Sequence, residues 1–256
     1  MEKRYCAIEQ LRNCSIKTER GKTSVVDRGK VSPVFACWSG GKDSALAGYR
    51  GVAGGLEVRC LLNMATEGGE RSRTHGLSTA VLQAQARAIG LPLIQRSTTW
   101  ESYEAEFKAV LRTLRQEGIE GGIFGDIDLD EHRQWVERVC GEAGITPYLP
   151  LWGERQPEIM RDFISLGFEA VVVATRSDLM GEEWLGRKID LDFLKQLEET
   201  EGITPCGEAG EYHTFVTDGP LFNQRVEILE TQKELRDGYW FWEILDCELK
   251  PKQEAA

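Results

Sequence analysis

No stretch of uncharged apolar residues approaches the roughly 18 needed to span a bilayer. The opening residues, MEKRYCAIEQ, hold no apolar core of the kind that begins a secretory signal. The expectation is a cytoplasmic protein with no membrane partner. Paired cysteines are missing as well. The seven cysteines stand at positions 6, 14, 37, 60, 140, 206 and 247, an odd number without a single C-x-x-C. That pattern argues against a disulfide framework and against a structural zinc site. Positive charge is in deficit, with 31 Lys and Arg against 42 Asp and Glu and a net charge of −11. Such a surface repels a phosphate backbone, so DNA is not an expected partner. Histidine is scarce, with His75, His132 and His213 the whole supply. There is no internal repeat and no low-complexity segment. What remains is an ordinary globular composition, 41% hydrophobic and 29% charged over 256 residues, enough for one large domain or two small ones.

The charge is unevenly spread. Residues 1–32 carry a net +4 and the other 224 carry −15, so residues 1–32 read as a basic N-terminal extension. From Val34 onward short apolar runs alternate with helical stretches. Residues 34–39, 57–64 and 92–96 read as strands, and a fourth closes at Gly122–Gly125 just before Asp126. Helices are expected over Asp43–Arg50, Ser78–Ile89 ending at Gly90, Trp100–Glu117, Asp130–Ala143 ending at Gly144, and Glu158–Leu166. A-V-V-V-A at 170–174 is the most β-prone run. This alternation predicts an α/β unit over residues 33–178 with a mostly parallel sheet, whose ligands lie at the carboxyl ends of the strands. After residue 178 the character changes. Residues 190–199 read as helix, 204–213 as turn, and 225–230 and 239–245 as strands around an Asp237-Gly238 turn. Residues 179–256 are therefore expected as a smaller α+β unit, with Trp240 and Trp242 on one hairpin face.

The strongest chemical signal is S-G-G-K-D-S at 39–44, between a strand and a helix. Gly40 and Gly41 let the backbone turn sharply against an anion, and the helix N-terminus adds partial positive charge. Ser39 and Ser44 can donate to phosphate oxygens, Lys42 can offset their charge, and Asp43 can hold Mg²⁺ or orient the loop. The plain alternative is a glycine turn capping a helix, but a strand before the loop and a helix after it are the context a phosphate site requires. The loop lacks the G-x-x-x-x-G-K-[ST] spacing of Walker NTPases and differs from G-x-G-x-x-G dinucleotide loops. It resembles the PP-loop of the ATP pyrophosphatases, which split ATP to AMP and pyrophosphate.

Four further segments narrow the resemblance: R-T-H-G-L (73–77), G-D-I (125–127), W-L-G-R-K-I-D (184–190) and C-G-E-A-G-E-Y-H-T-F-V-T-D-G-P-L-F (206–222). Together, over about residues 33–225, the chain resembles the diphthine–ammonia ligase family and its bacterial relatives. The resemblance implies a parallel-sheet PP-loop domain of the HUP, adenine nucleotide alpha hydrolase-like type, followed by a small C-terminal α+β substrate domain. It implies an adenylating amide ligase using ATP and Mg²⁺: a carboxylate attacks the α-phosphate, and ammonia then displaces AMP. The carboxylate would be that of diphthine on elongation factor 2, or of a small metabolite in a diverged member. This chain has His213 and Phe215 where many members read G-E-x-G-E-Y-E-T-L. No glutaminase-like segment is visible, so free ammonia is the simplest nitrogen source. A homodimer counts among the expected assemblies. The non-enzymatic alternative is an adenine-nucleotide sensor.

Residue by residue, Met64 offers an apolar face to adenine, and His75 lies where the family fold brings the nucleotide. Asp126 ends a strand at the ligand edge and is a candidate for metal or substrate, or else a cap of the next helix, a place Asp130 suits better. Arg187 reaches a phosphate or an interdomain salt bridge. Glu208, Glu211 and His213 bind the incoming amine, accept its proton or hold a second metal. The alternative for that segment is a polar turn joining a helix to a hairpin. Cys206 is expected to be structural, and His132 a surface side chain on a helix.

Overall fold

The computed structural model describes residues 32–69, 71–72 and 75–252. The basic N-terminal extension falls outside the described residues, apart from Ser32. Five strands form the first sheet: β1 (Pro33–Cys37), β2 (Glu57–Ala65), β3 (Leu93–Ser97), β4 (Gly121–Ile123) and β5 (Thr146–Tyr148). They are all parallel, in the order β3-β2-β1-β4-β5. Side chains alternate across β1, so Val34 and Ala36 enter one apolar core while Phe35 enters the other. The helices α1 (Lys42–Ala53), α2 (Thr79–Ile89), α3 (Tyr103–Gln116) and α4 (Asp130–Ala143) cover the two faces. Leu46 and Leu82 pack into the first core, and Phe107, Leu111 and Val139 into the second. Strand order reverses at β1, which opens a crevice beyond its carboxyl end.

The helix ends follow local chemistry. Ser78 Oγ accepts from Val81 N at 3.3 Å at the start of α2, and Gly90 and Gly144 close α2 and α4 in the left-handed region. Asp130 is the first residue of α4, and no side chain caps that helix, so neither Asp126 nor Asp130 performs the expected capping.

Four strands form the second sheet: β6 (Glu169–Arg176), β7 (Tyr212–Asp218), β8 (Gln224–Arg236) and β9 (Tyr239–Pro251). They are antiparallel in the order β7-β6-β9-β8. The helices α5 (Gln156–Ser165) and α6 (Leu191–Glu199) pack beside this sheet. Here the sequence expectation needs correcting. The run at 170–174 does not extend the parallel sheet; it is the middle of β6, between β7 and β9. A strand buried on both faces reads as an unbroken apolar run in either kind of sheet, so its pattern does not reveal its partners. The change of sheet thus falls between β5 and β6, ahead of residue 178. β7 starts within the stretch read as turn. β8 and β9 do form a hairpin, with Asp237 at φ +50° and Gly238 at φ +79°, as a type I′ turn requires. The two sheets share a core, in which Leu46, Leu82 and Trp38 pack with Phe215, Val216 and Ile244.

Candidate active site

A cavity of about 340 Å³ opens at the carboxyl ends of β1, β2 and β4, within the range of small-molecule sites. One wall is the phosphate-type loop. Gly40 has φ +87°, and a Cβ there would lie 2.7 Å from Leu82 Cδ2; a Cβ on Gly41 would lie 2.5 Å from His75 Nε2. Both positions therefore need glycine, one for its backbone and the other for space. Ser39 Oγ accepts from Gly41 N at 3.3 Å and donates to Ser44 Oγ at 3.2 Å, while Ser44 Oγ donates to the Gly41 carbonyl at 2.9 Å. Ser39, Lys42, Asp43 and Ser44 all line the cavity.

Lys42 is buried at 4% exposure, with Nζ 2.8 Å from Asp43 Oδ2 and donating to the Cys206 carbonyl. It sits 5.1 Å over the Tyr212 ring. Burial works against its charge, but Asp43 beside it outweighs that and holds the ammonium protonated. Burial pushes the Asp43 carboxyl up, against the pull of Lys42. Its Oδ1 is buried with no hydrogen-bond partner.

The facing wall comes from the second sheet and the turn before it. Gly207, Glu208, Gly210, Tyr212, His213 and Thr214 line it. Burial, and then the nearby Asp43, push the Glu208 carboxyl up to about 7. His213 is pushed down to about 4 by burial and by Lys42. His75 is held well below its ordinary value by burial, His213 and Lys42. The two imidazoles lie 4.6 Å apart between ring centres and are neutral at pH 7. Thr214 Oγ1 accepts from Lys42 N at 3.0 Å, which ties the two walls together.

Glu211 is not part of this surface. It is 1% exposed, its Oε1 accepts from Thr204 N at 2.7 Å, and its carbonyl accepts from Arg176 N at 2.8 Å. The expected role in amine chemistry gives way to bracing its own turn, because the side chain folds back onto residue 204. Tyr212 adds to that brace, its hydroxyl donating to the Pro205 carbonyl at 2.6 Å. Arg187 is likewise absent from the cavity. Its guanidinium stacks 4.6 Å over Trp184 and 5.6 Å from Phe193, and donates to Gln196 Oε1 at 2.6 Å. Among the described residues Arg187 makes no salt bridge, and the aromatic rings next to it in the fold hold it. Cys206, also in the cavity lining, is buried against Gln156, and burial pushes its thiol up.

Asp126 lies at the cavity, 3.4 Å from His132 Nδ1. The contact with Asp126 holds His132 above its ordinary value; His132 is an exposed side chain on α4, as expected, and it also lines the cavity mouth. Met64 is buried in the lining with Leu62 and Asn63, and Asn63 Nδ2 donates to the Trp38 carbonyl at 2.8 Å. Trp100, 73% exposed, stands at the rim with Tyr103. Thr214 is not found from the sequence, since it lies 172 residues along the chain from Lys42, which it joins. Among the described residues, no group of three His, Cys, Asp or Glu is arranged to hold a metal, and no helix is long and apolar enough to cross a membrane.

A glycine loop at the switch point of a five-stranded parallel sheet, closed by a four-stranded antiparallel unit, defines a two-part α/β protein with its ligand crevice at that loop. The chain belongs to the diphthamide synthase family, a family of ATP-dependent ligases: residues 32–147 match the diphthamide synthase N-terminal domain and residues 156–248 its C-terminal domain. It is similar to the diphthine–ammonia ligases of Homo sapiens and Bos taurus, at 29% identity over 219 residues, covering 76% of this chain and 82% of each of them. The diphthine–ammonia ligase of Schizosaccharomyces pombe is 28% identical over 223 residues, covering 79% of this chain and 36% of that protein.

Proposed function

We propose that the protein forms an amide from a carboxylate and ammonia at the cost of ATP, splitting it to AMP and pyrophosphate. The carboxylate attacks the α-phosphorus and pyrophosphate leaves. The nitrogen of ammonia then attacks the acyl carbon, and AMP departs. The observation that supports this most is the meeting of two unlike walls in one cavity: a buried Lys42–Asp43 pair on the phosphate loop, and Glu208 facing it with a carboxyl near 7.

Lys42 offsets the charge on the leaving pyrophosphate, with the loop N–H groups and the start of α1 beside it. Ammonium must shed a proton before its nitrogen can attack, and a carboxylate near 7 accepts that proton at neutral pH. His75 and His213, both neutral, hydrogen-bond the phosphates or the acyl oxygen without adding charge. The unpartnered Asp43 Oδ1, buried at the cavity, fits a divalent cation, which binds through one or two carboxylates plus substrate phosphates. Asp43, with Asp126 nearby on the cavity, would hold Mg²⁺, which when bound supplies charge neutralisation for the phosphates. Met64 flanks the adenine. The acceptor we favour is diphthine on elongation factor 2, with a small-metabolite carboxylate as the competing class.

The test is to incubate the protein with ATP, Mg²⁺, ¹⁵N-ammonium and either diphthine-bearing elongation factor 2 or a panel of small carboxylates. AMP, pyrophosphate and a labelled amide on one acceptor are expected. ADP and orthophosphate as products would overturn the proposal.

A further inference from the structure

Gln85, on α2, is completely buried at 0% exposure, and both of its amide N–H groups and its carbonyl oxygen are hydrogen-bonded. Its Oε1 accepts from Trp38 Nε1 at 2.6 Å, and its Nε2 donates to the Gly40 carbonyl at 3.0 Å and the Val216 carbonyl at 2.7 Å. The three partners come from the end of β1, the phosphate loop and β7. Two more bonds run along the same seam: Val216 N donates to the Gly40 carbonyl at 3.0 Å, and Lys42 N donates to Thr214 Oγ1 at 3.0 Å. β7 is an outer strand of its sheet, and residues 40–42 lie along its open edge. The seam is closely packed, since a Cβ on Gly40 would also come within 3.2 Å of Gln85 Oε1.

Packing alone does not explain an amide here. The neighbours on α2 are Leu82 and Ala86, both buried in the apolar core, and an apolar side chain would fill the space without the cost of desolvating an amide. The polar groups of the loop and strand are what require it. We propose that Gln85 is a positioning residue for the nucleotide phosphates. It holds the Gly40 carbonyl against the edge of β7 and so fixes the turn from which Ser39, Asp43 and Ser44 reach the cavity. Through the same bonds it keeps the phosphate loop and the wall bearing His213 and Thr214 in a single arrangement. This rests on the nucleotide-binding reading above and extends it to a residue outside the cavity.

The test is equilibrium binding of ATP and of adenosine to the wild-type protein and to Gln85→Met, which keeps the side-chain bulk and removes all three hydrogen bonds. Gln85 acts on the phosphates and not on the base, so ATP affinity is expected to fall about tenfold, the equivalent of about 1.4 kcal/mol. Adenosine affinity is expected to stay within about twofold, a ratio that mere loss of stability would leave unchanged. Equal weakening of both ligands, or of neither, would overturn the proposal. Failure of the wild-type protein to bind ATP would instead overturn the nucleotide reading. Should Gln85→Met not fold, Gln85→Glu decides by the same ratio, because it keeps an acceptor for Trp38 and loses a donor to the seam.

Discussion

The two walls of the cavity carry their charge differently. On the parallel-sheet side Lys42 and Asp43 neutralise each other in a buried pair whose lysine stays protonated. On the antiparallel side Glu208 is raised to about 7 and His213 is lowered to about 4, with His75 of the parallel-sheet unit, packed against His213, held well below its ordinary value. The first wall has an ammonium that stays protonated, which suits an anionic ligand such as a polyphosphate. The second has a group whose charge changes near neutral pH, which suits proton transfer. The contrast follows from what faces each buried group: Lys42 has a carboxylate beside it and stays protonated, whereas Glu208 is pushed up by burial and by the like charge of Asp43.

The largest effect is expected from breaking the fixed-charge wall. Asp43→Asn removes the carboxylate that balances Lys42, together with its unpartnered oxygen. ATP-dependent turnover should fall about 10³-fold, with a lower melting temperature because a buried cation has lost its counter-charge. Measured AMP release within about tenfold of wild type would show that this pair does not serve the phosphates.

The titrating wall is tested next, by setting Glu208 against Glu211. Glu208→Gln should lower kcat by about 10²–10⁴-fold while ATP affinity is retained. In the wild type, kcat should rise with pH through about 7 as Glu208 loses its proton, and that rise should vanish in the variant. Glu211→Gln should leave kcat within about threefold, since its side chain touches its own turn and not the cavity. Equal losses at the two positions would erase the distinction between a base and a brace.

That pair also marks what was legible in the sequence. S-G-G-K-D-S was readable because its chemistry is local: glycines, a helix start and short polar side chains act within six residues. Glu208 and Glu211 stand three apart in one glycine-rich turn, and spacing alone did not tell which one folds back. Gln85 was unreadable for the opposite reason, its partners lying at Trp38, Gly40 and Val216. The stacking of Arg187 on Trp184 and Phe193 is likewise a matter of the fold, which the sequence around it does not show. Four of the five parallel strands are visible in the sequence; β5, only three residues long, is not, β7 is hidden by the turn residues that lead into it, and β6 by an apolar pattern that fits either sheet.

The smallest expected effect concerns stability and needs a difference between two proteins. An unfolded histidine titrates near 6.5, while folded His213 does so near 4. Between those values the unfolded chain takes up a proton that the folded protein refuses, so His213 costs stability as pH falls from about 6.5 to about 4. Glu208 acts in the other direction. Its carboxyl is raised from 4.5 to about 7, so the folded protein keeps a proton that the unfolded chain releases, and stability is lost as pH rises across that interval. The two dependences oppose each other over most of their range, and the wild-type curve alone would conceal both. His213→Gln removes one of them. The melting temperature of the wild type, relative to that of this variant, should therefore fall steadily as the pH is lowered from about 6.5 to about 4. Thermal melts of both proteins across that interval make the measurement, and parallel curves would mean that His213 accepts its proton in the folded state as readily as in the unfolded chain. In that case the second wall would carry an additional positive charge at mildly acid pH, and its difference from the Lys42 wall would narrow to Glu208 alone.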